Sequence, residues 1–220
     1  MELRTKMAYP QIESSRLLLL LLLFFILYIP FTVKTAWDIR DKTAIDLPSF
    51  YVASVEVFNN HQTPYNPHRL QSMVGHQARV FPYLYPPPSL GFFFPLSLME
   101  YPTAQRVVLS VNHLLFLFLA LAIPWFLFRP MNARSHSLAV PVSFVYILTF
   151  SPFAKTIVHG QVNLLLLVLL LLFWVMSRRE KPVASSLFLS LAIVLKTYPV
   201  LLVLLLFIVG RRKESLYTVA

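Results

Sequence analysis

Every residue from Leu17 to Ile29 is Leu, Phe, Ile or Tyr, and every residue from Leu164 to Val175 is Leu, Val, Phe or Trp. Runs this uniform leave no polar stripe for a soluble helix to turn towards water, and they suit hydrocarbon instead. Across the 220 residues, 57% are hydrophobic and 13% charged, and the mean hydropathy is +0.67, far from the mixture a soluble domain needs for its surface. The expectation is an all-α integral membrane protein: a polytopic helical bundle with a long extracytoplasmic first loop that contains short amphipathic helices.

The formal charge of +10 does not point to nucleic acid, because the basic residues sit in short clusters beside the apolar blocks. With no cysteine, thiolate nucleophiles, disulfides and Cys-ligated zinc are excluded, and six scattered histidines without HExxH-like spacing give a metal site no support. The first apolar block follows Arg4, Lys6 and Arg16 as in a signal peptide, yet Ile29-Pro30-Phe31 and Trp37 follow where a small-residue cleavage site would stand. It reads as a retained anchor.

Placing Arg4/Lys6/Arg16, Arg129/Arg134, Arg178/Arg179/Lys181 and Arg211/Arg212/Lys213 in the cytoplasm satisfies the positive-inside rule. The resulting divisions are a cytoplasmic N-terminus (1–16), a first transmembrane helix (17–36), an extracytoplasmic loop (37–105) and a second transmembrane helix (106–128). A cytoplasmic loop (129–137), a short hairpin (138–177), another cytoplasmic loop (178–182), a second hairpin (183–210) and a cytoplasmic segment (211–220) complete the order. The first hairpin is split by Ser151-Pro152-Phe153-Ala154-Lys155 and His159-Gly160-Gln161-Val162-Asn163, leaving two helices of about 14 residues, or about 21 Å against a hydrocarbon core of about 30 Å. The second breaks at Lys196-Thr197-Tyr198-Pro199; a single kinked span over 183–209 is the alternative, at the cost of exporting Arg211-Arg212-Lys213. Polar turns below the membrane surface require protein or a wet cavity around them. The turns near 152–162 and 196–199 are therefore predicted to meet beneath the outer loop.

Five of the nine acidic residues lie in that loop: Asp38, Asp41, Asp46, Glu56 and Glu100. Pro48 to Asn59 reads as a helix with Tyr51, Val55 and Phe58 on one face, and Asp46 just ahead of it is favoured as a carboxylate by the helix dipole and the unpaired amides. Thr63-Pro64-Tyr65-Asn66-Pro67 reads as a turn, Phe81 to Pro88 as a stiff extended segment, and Ser89 to Glu100 as an apolar stretch along the interface. Asp38 and Asp41, alternating with Arg40 and Lys42, read as an exposed ion-pair patch, and Asn112 and His113 as hydrogen-bonding groups between helices.

In this order Asp46-Leu47-Pro48-Ser49-Phe50-Tyr51-Val52-Ala53, Pro64-Tyr65-Asn66-Pro67, Tyr85-Pro86-Pro87 with Pro95-Leu96, Gly160-Gln161-Val162-Asn163 and Leu195-Lys196-Thr197-Tyr198-Pro199 resemble glycosyltransferase family 87. These are mannosyltransferase-like members of the GT-C superfamily that use polyprenyl-phosphate sugars. The resemblance implies a GT-C-like bundle of which this chain is the N-terminal portion, multi-pass in a bacterial plasma (inner) membrane with its N-terminus cytoplasmic. It implies a hexosyltransferase whose donor is a polyprenyl-phosphate sugar and whose acceptor is a glycan or glycolipid, with no cofactor beyond that lipid-linked donor.

The resemblance further implies inverting displacement, with Asp46 taking the proton of the acceptor hydroxyl. Lys196 is the candidate for the lipid phosphate, supported by Lys155 and His159, and Gln161 and Asn163 carry donors and acceptors suited to sugar hydroxyls. Tyr51 and Tyr85 complete the expected substrate contacts. Snorkelling for Lys196, helix capping for Gln161 and Asn163, and a helix-start role for Asp46 are the structural alternatives. A lipid or solute transporter with a midplane site, or a non-enzymatic scaffold, would be the competing functions.

Overall fold

The computed structural model describes residues 14–41, 45–65, 80–128 and 142–219, and among them every regular element is helical. Arg4 and Lys6, the turn residues Asn66 and Pro67, and the loop with Arg129 and Arg134 lie outside the described residues, as do the side chains of Asp38, Arg40 and Asp41. Helix α1 spans Ser14–Asp41, continuing past the expected end at 36, and bears Pro30 within it. Helix α2 is Leu47–Phe58, with Pro48 in its first turn where a missing amide hydrogen costs nothing, and Asn59 closes it.

The extended run after residue 80 stops at Pro86. Pro87–Ser89 forms a 3-10 turn rather than continuing the stiff segment, and it leads into α3, Leu90–Ser97. Helix α4, Tyr101–Phe128, begins five residues before the expected 106, again with a proline at its start. Its stretch Tyr101–Ile123 is the one helix among the described residues long and apolar enough by itself to cross a membrane.

The first hairpin departs from expectation. In place of two helices around a polar turn there are three: α5 (142–149), α6 (Ser151–Val158) and α7 (Asn163–Arg178). Pro152 explains this, because its ring and missing N–H end the preceding helix yet fit the first turn of a new one, and Phe150 between them is extended at φ −72, ψ 100. Gly160, in the left-handed region at φ 66, terminates α6, and the chain bends by 119° into α7. That bent pair is a second candidate crossing only if α6 and α7 count as one span.

The second hairpin is formed by α8 (Pro182–Leu195) and α9 (Val200–Ile208). Lys196 at φ −146, ψ 137 breaks α8, and Pro199 precedes α9. Gly210 at φ 81 turns the chain into α10, Arg212–Val219. Arg211 then reaches the Ser177 carbonyl oxygen at 2.8 Å, so the chain has doubled back to the α7–α8 loop instead of running on as one kinked rod. From there α10 lies along α8, with the Ser186 and Ser190 hydroxyls donating to the carbonyl oxygens of Glu214 and Thr218.

Two cores hold the helices together. One joins α2, α3, α7 and α8 through Phe50, Phe93, Leu166, Leu169, Ala192 and Leu195, with Phe50 stacked on Phe93 at 4.4 Å. The other joins α4, α5, α6 and α7 through Phe116, Leu119, Ile147, Ile157 and Leu164, and Tyr28 and Phe31 of α1 pack against it. Several polar groups inside are matched between helices, although the buried Tyr101 hydroxyl has no hydrogen-bond partner among the described residues. Tyr28 and Thr35 of α1 bind the two ring nitrogens of His113 at 2.9 and 3.1 Å, and Asn112 donates to the Gln161 carbonyl oxygen at 3.3 Å.

Candidate functional site

The two turns meet beneath α2. The Asp46 amide donates to the carbonyl oxygen of His159 at 3.1 Å, which ties the start of α2 to the end of α6. The Lys196 ammonium donates to Asn163 Oδ1 at 2.7 Å, which ties the break in α8 to the start of α7. Between them lies a cleft of about 470 Å³ walled by Ile45, Asp46, Ser49 and Phe50, by the stretch Phe81 to Pro86, and by Lys196 to Tyr198.

Asp46 occupies the N-cap position of α2 but makes no capping hydrogen bond with its side chain. Its backbone carbonyl takes the first helical amides, Ser49 at 3.1 Å and Phe50 at 3.3 Å, and the carboxylate is left to the cleft. The turn geometry also brings neighbours: at about 100° per residue, Ser49 and Phe50 fall on the same side of α2 as Asp46, whereas Tyr51 lies about 140° away. Accordingly Ser49 and Phe50 line the cleft and Tyr51 does not; the Tyr51 hydroxyl donates to the Met99 carbonyl oxygen at 3.0 Å, and its ring meets Tyr101 edge-on.

Lys196 is half-buried, and its Nζ sits 5.5 Å from the centre of the Tyr85 ring. It lies within electrostatic reach of Asp46, yet no direct ion pair joins them among the described residues. An ammonium has three donors. Asn163 takes one, so the others remain for an anion entering the cleft. The side chains expected to hold sugar hydroxyls are engaged elsewhere: Asn163 Nδ2 donates to Gln161 Oε1 at 2.7 Å, and Thr156 approaches the same oxygen at 3.4 Å. This contact fixes the Asn163 amide with its oxygen towards Lys196.

Of the supporting cations, Lys155 is exposed on α6 and forms no part of the cleft wall, and His159 contributes its backbone carbonyl rather than its ring. Tyr85 does line the cleft. Burial pushes the hydroxyls of Tyr83 and Tyr85 up to about 12, with the negative charge of Asp46 adding to the effect on Tyr85, so both are neutral donors at physiological pH.

Ser49, Phe81, Tyr83 and Tyr198 were not singled out by the sequence reading. Ser49 donates to the Phe81 carbonyl oxygen at 2.7 Å and so holds the extended strap against α2. Tyr83 is fully buried and hydrogen-bonds to Ser89, which anchors the strap to the 3-10 turn. The helical spacing of Asp46 and Ser49 could have revealed the first of these. Nothing local could have revealed the second.

The family model described as glycosyltransferase family 87 matches residues 83–220, well over half the chain. No curated protein and no solved structure matches it. The matched stretch includes Tyr85, both turns and Lys196; Asp46 precedes it.

Proposed function

Since this chain belongs to glycosyltransferase family 87, a family of membrane glycosyltransferases, we propose that it transfers a hexose, most simply mannose, from a polyprenyl-phosphate sugar to an extracytoplasmic hydroxyl with inversion. The acceptor is a glycan or glycolipid. The enzyme is multi-pass in the plasma membrane, with its N-terminus cytoplasmic and the cleft opening to the outer face.

The reaction forms a bond between the acceptor oxygen and the anomeric carbon and breaks the bond from that carbon to the phosphate oxygen. The lipid phosphate departs with the electron pair, and Asp46 receives the acceptor proton. Lys196 stabilises the negative charge that grows on the phosphate, and its position over the Tyr85 ring limits its freedom to swing into solvent. The neutral Tyr85 hydroxyl is available to the sugar rings.

The observation that carries this reading is the presence of a carboxylate and an ammonium in one cleft without a direct bond between them. A structural pair would neutralise itself, whereas separated charges can act on a base-requiring acceptor and an anionic leaving group at once. The test is Asp46→Asn in membranes supplied with labelled polyprenyl-phosphate sugar and acceptor. Transfer is expected to fall by about 10²–10⁴-fold while insertion is unchanged. Full activity in the inserted variant would remove Asp46 from the mechanism.

A further inference from the structure

At the other end of α7 and α8, the chain gathers Arg178, Arg179 and Lys181 from one loop and Arg211, Arg212 and Lys213 from another. Contacts make these two loops one surface. The Arg211 guanidinium binds the Ser177 carbonyl oxygen at 2.8 Å and Glu214 Oε1 at 2.9 Å. Glu214 Oε2 accepts from the Ser177 hydroxyl at 2.8 Å and from Ser185 at 3.2 Å, and the Glu214 carbonyl oxygen accepts from Ser186 at 2.8 Å.

The consequence for charge is one-sided. Among the described residues two carboxylates belong to this end, and Glu214 is 5% exposed, facing inward and already paired with Arg211. Among the described residues that leaves Arg178, Arg179, Lys181, Arg212 and Lys213 exposed against Glu180. Directly inside this collar stand two exposed aromatic rings with cations over them, Arg178 at 5.9 Å from Trp174 and Arg212 at 5.7 Å from Phe207. Beyond them Leu201, Leu204 and Leu205 of α9 are exposed too.

Cation, aromatic ring and aliphatic surface therefore follow one another along the helices. We infer that this end is a binding surface for the headgroups of acidic glycerophospholipids: phosphate meets the collar, the glycerol region meets Trp174 and Phe207, and the acyl chains cover α9. A nucleic acid would use the cations but gain nothing from the aliphatic apron beside them. The surface lies at the far end of the hairpins from the cleft and does not depend on what the cleft does.

The experiment uses the full chain purified in an uncharged detergent and titrated with phosphatidylglycerol or phosphatidylcholine, with retained lipid counted by native mass spectrometry. Phosphatidylglycerol is expected to bind at least about tenfold more tightly, and each of two double variants, Arg212→Gln with Lys213→Gln and Arg178→Gln with Arg179→Gln, to weaken it about tenfold without changing phosphatidylcholine retention. These variants leave the Arg211–Glu214 contact intact, and a melting curve shows whether each is folded. Equal retention of the two lipids, undiminished phosphatidylglycerol binding in folded variants, or displacement of the lipid by polyuridylate at equal phosphate concentration would overturn the inference.

Discussion

Lys196 and Asp46 at one end of the α7–α8 pair share a cleft without touching, whereas Arg211 and Glu214 at the other end are in contact at 2.9 Å and closed in by three serine hydroxyls. The chemistry of the groups is the same, a cation and a carboxylate, although Arg211 and Glu214 are three residues apart at the start of α10 and Asp46 and Lys196 are far apart in the chain. Their surroundings differ. At the Glu214 end the carboxylate is satisfied on both oxygens and cannot respond to anything outside. At the Lys196 end an ammonium is held by Asn163 and Tyr85, groups that orient it without cancelling its charge. Paired and buried charge fixes a turn in place, while positioned and unpaired charge remains available to a ligand.

The sharpest way to break this contrast is to remove each cation or carboxylate and ask which property suffers. Lys196→Met should lower transfer by about 10²–10³-fold, the range for losing one preorganised group opposite a developing negative charge, with little change in melting temperature. A variant that transfers normally would make Lys196 a snorkelling residue like any other. Glu214→Gln should do the reverse. It leaves Arg211 short of its counter-charge and is expected to cost about 1.5–3 kcal/mol of stability, read as an earlier melt in detergent, with transfer per folded molecule retained. Adding Arg211→Met to it should recover part of that loss, because no unpaired charge then remains.

How far the sequence foretold these two ends differs as well. The Lys196 turn was legible because Lys196-Thr197-Tyr198-Pro199 interrupts an otherwise apolar run, and a break of that kind is local. The α2 helix was legible from Pro48 and the spacing behind it. The helix at Ser151–Val158 was hidden, since Ser151, Lys155 and Thr156 make it look like a polar turn while Ile157 and Val158 are its buried face. The Glu214 cluster was hidden for another reason: Ser177 and Ser185 precede Glu214 by 37 and 29 residues, and no periodicity links positions so far apart. Tyr51, expected as a substrate contact, lies off the cleft wall. Its proximity to Asp46 in the chain conceals a rotation that turns it towards Met99.

A smaller effect tests whether Asn163 supports Lys196 or binds sugar itself. Asn163→Leu removes the 2.7 Å contact to the ammonium and leaves Gln161 Oε1 with the 3.4 Å contact from Thr156. Loss of the Lys196 anchor alone predicts an increase of about tenfold in the KM for the lipid-linked donor, in keeping with one charged hydrogen bond, and an unaltered KM for the acceptor. A rise in the acceptor KM instead would give Asn163 the direct contact that its residue type first suggested.

The smallest effect comes from Tyr85, where ring and hydroxyl can be separated. Tyr85→Phe keeps the surface beneath Lys196 and removes a hydroxyl that is neutral throughout the physiological range, so any change in transfer should not vary between pH 6 and 9. Tyr85→Leu removes the ring face as well, and the loss of a cation–π contact worth about 0.5–1 kcal/mol predicts a two- to fivefold rise in the donor KM. If the two variants behave alike, the hydroxyl is what the donor uses. If only Tyr85→Leu is impaired, the ring acts through Lys196, because a face that merely filled space would be replaced adequately by leucine.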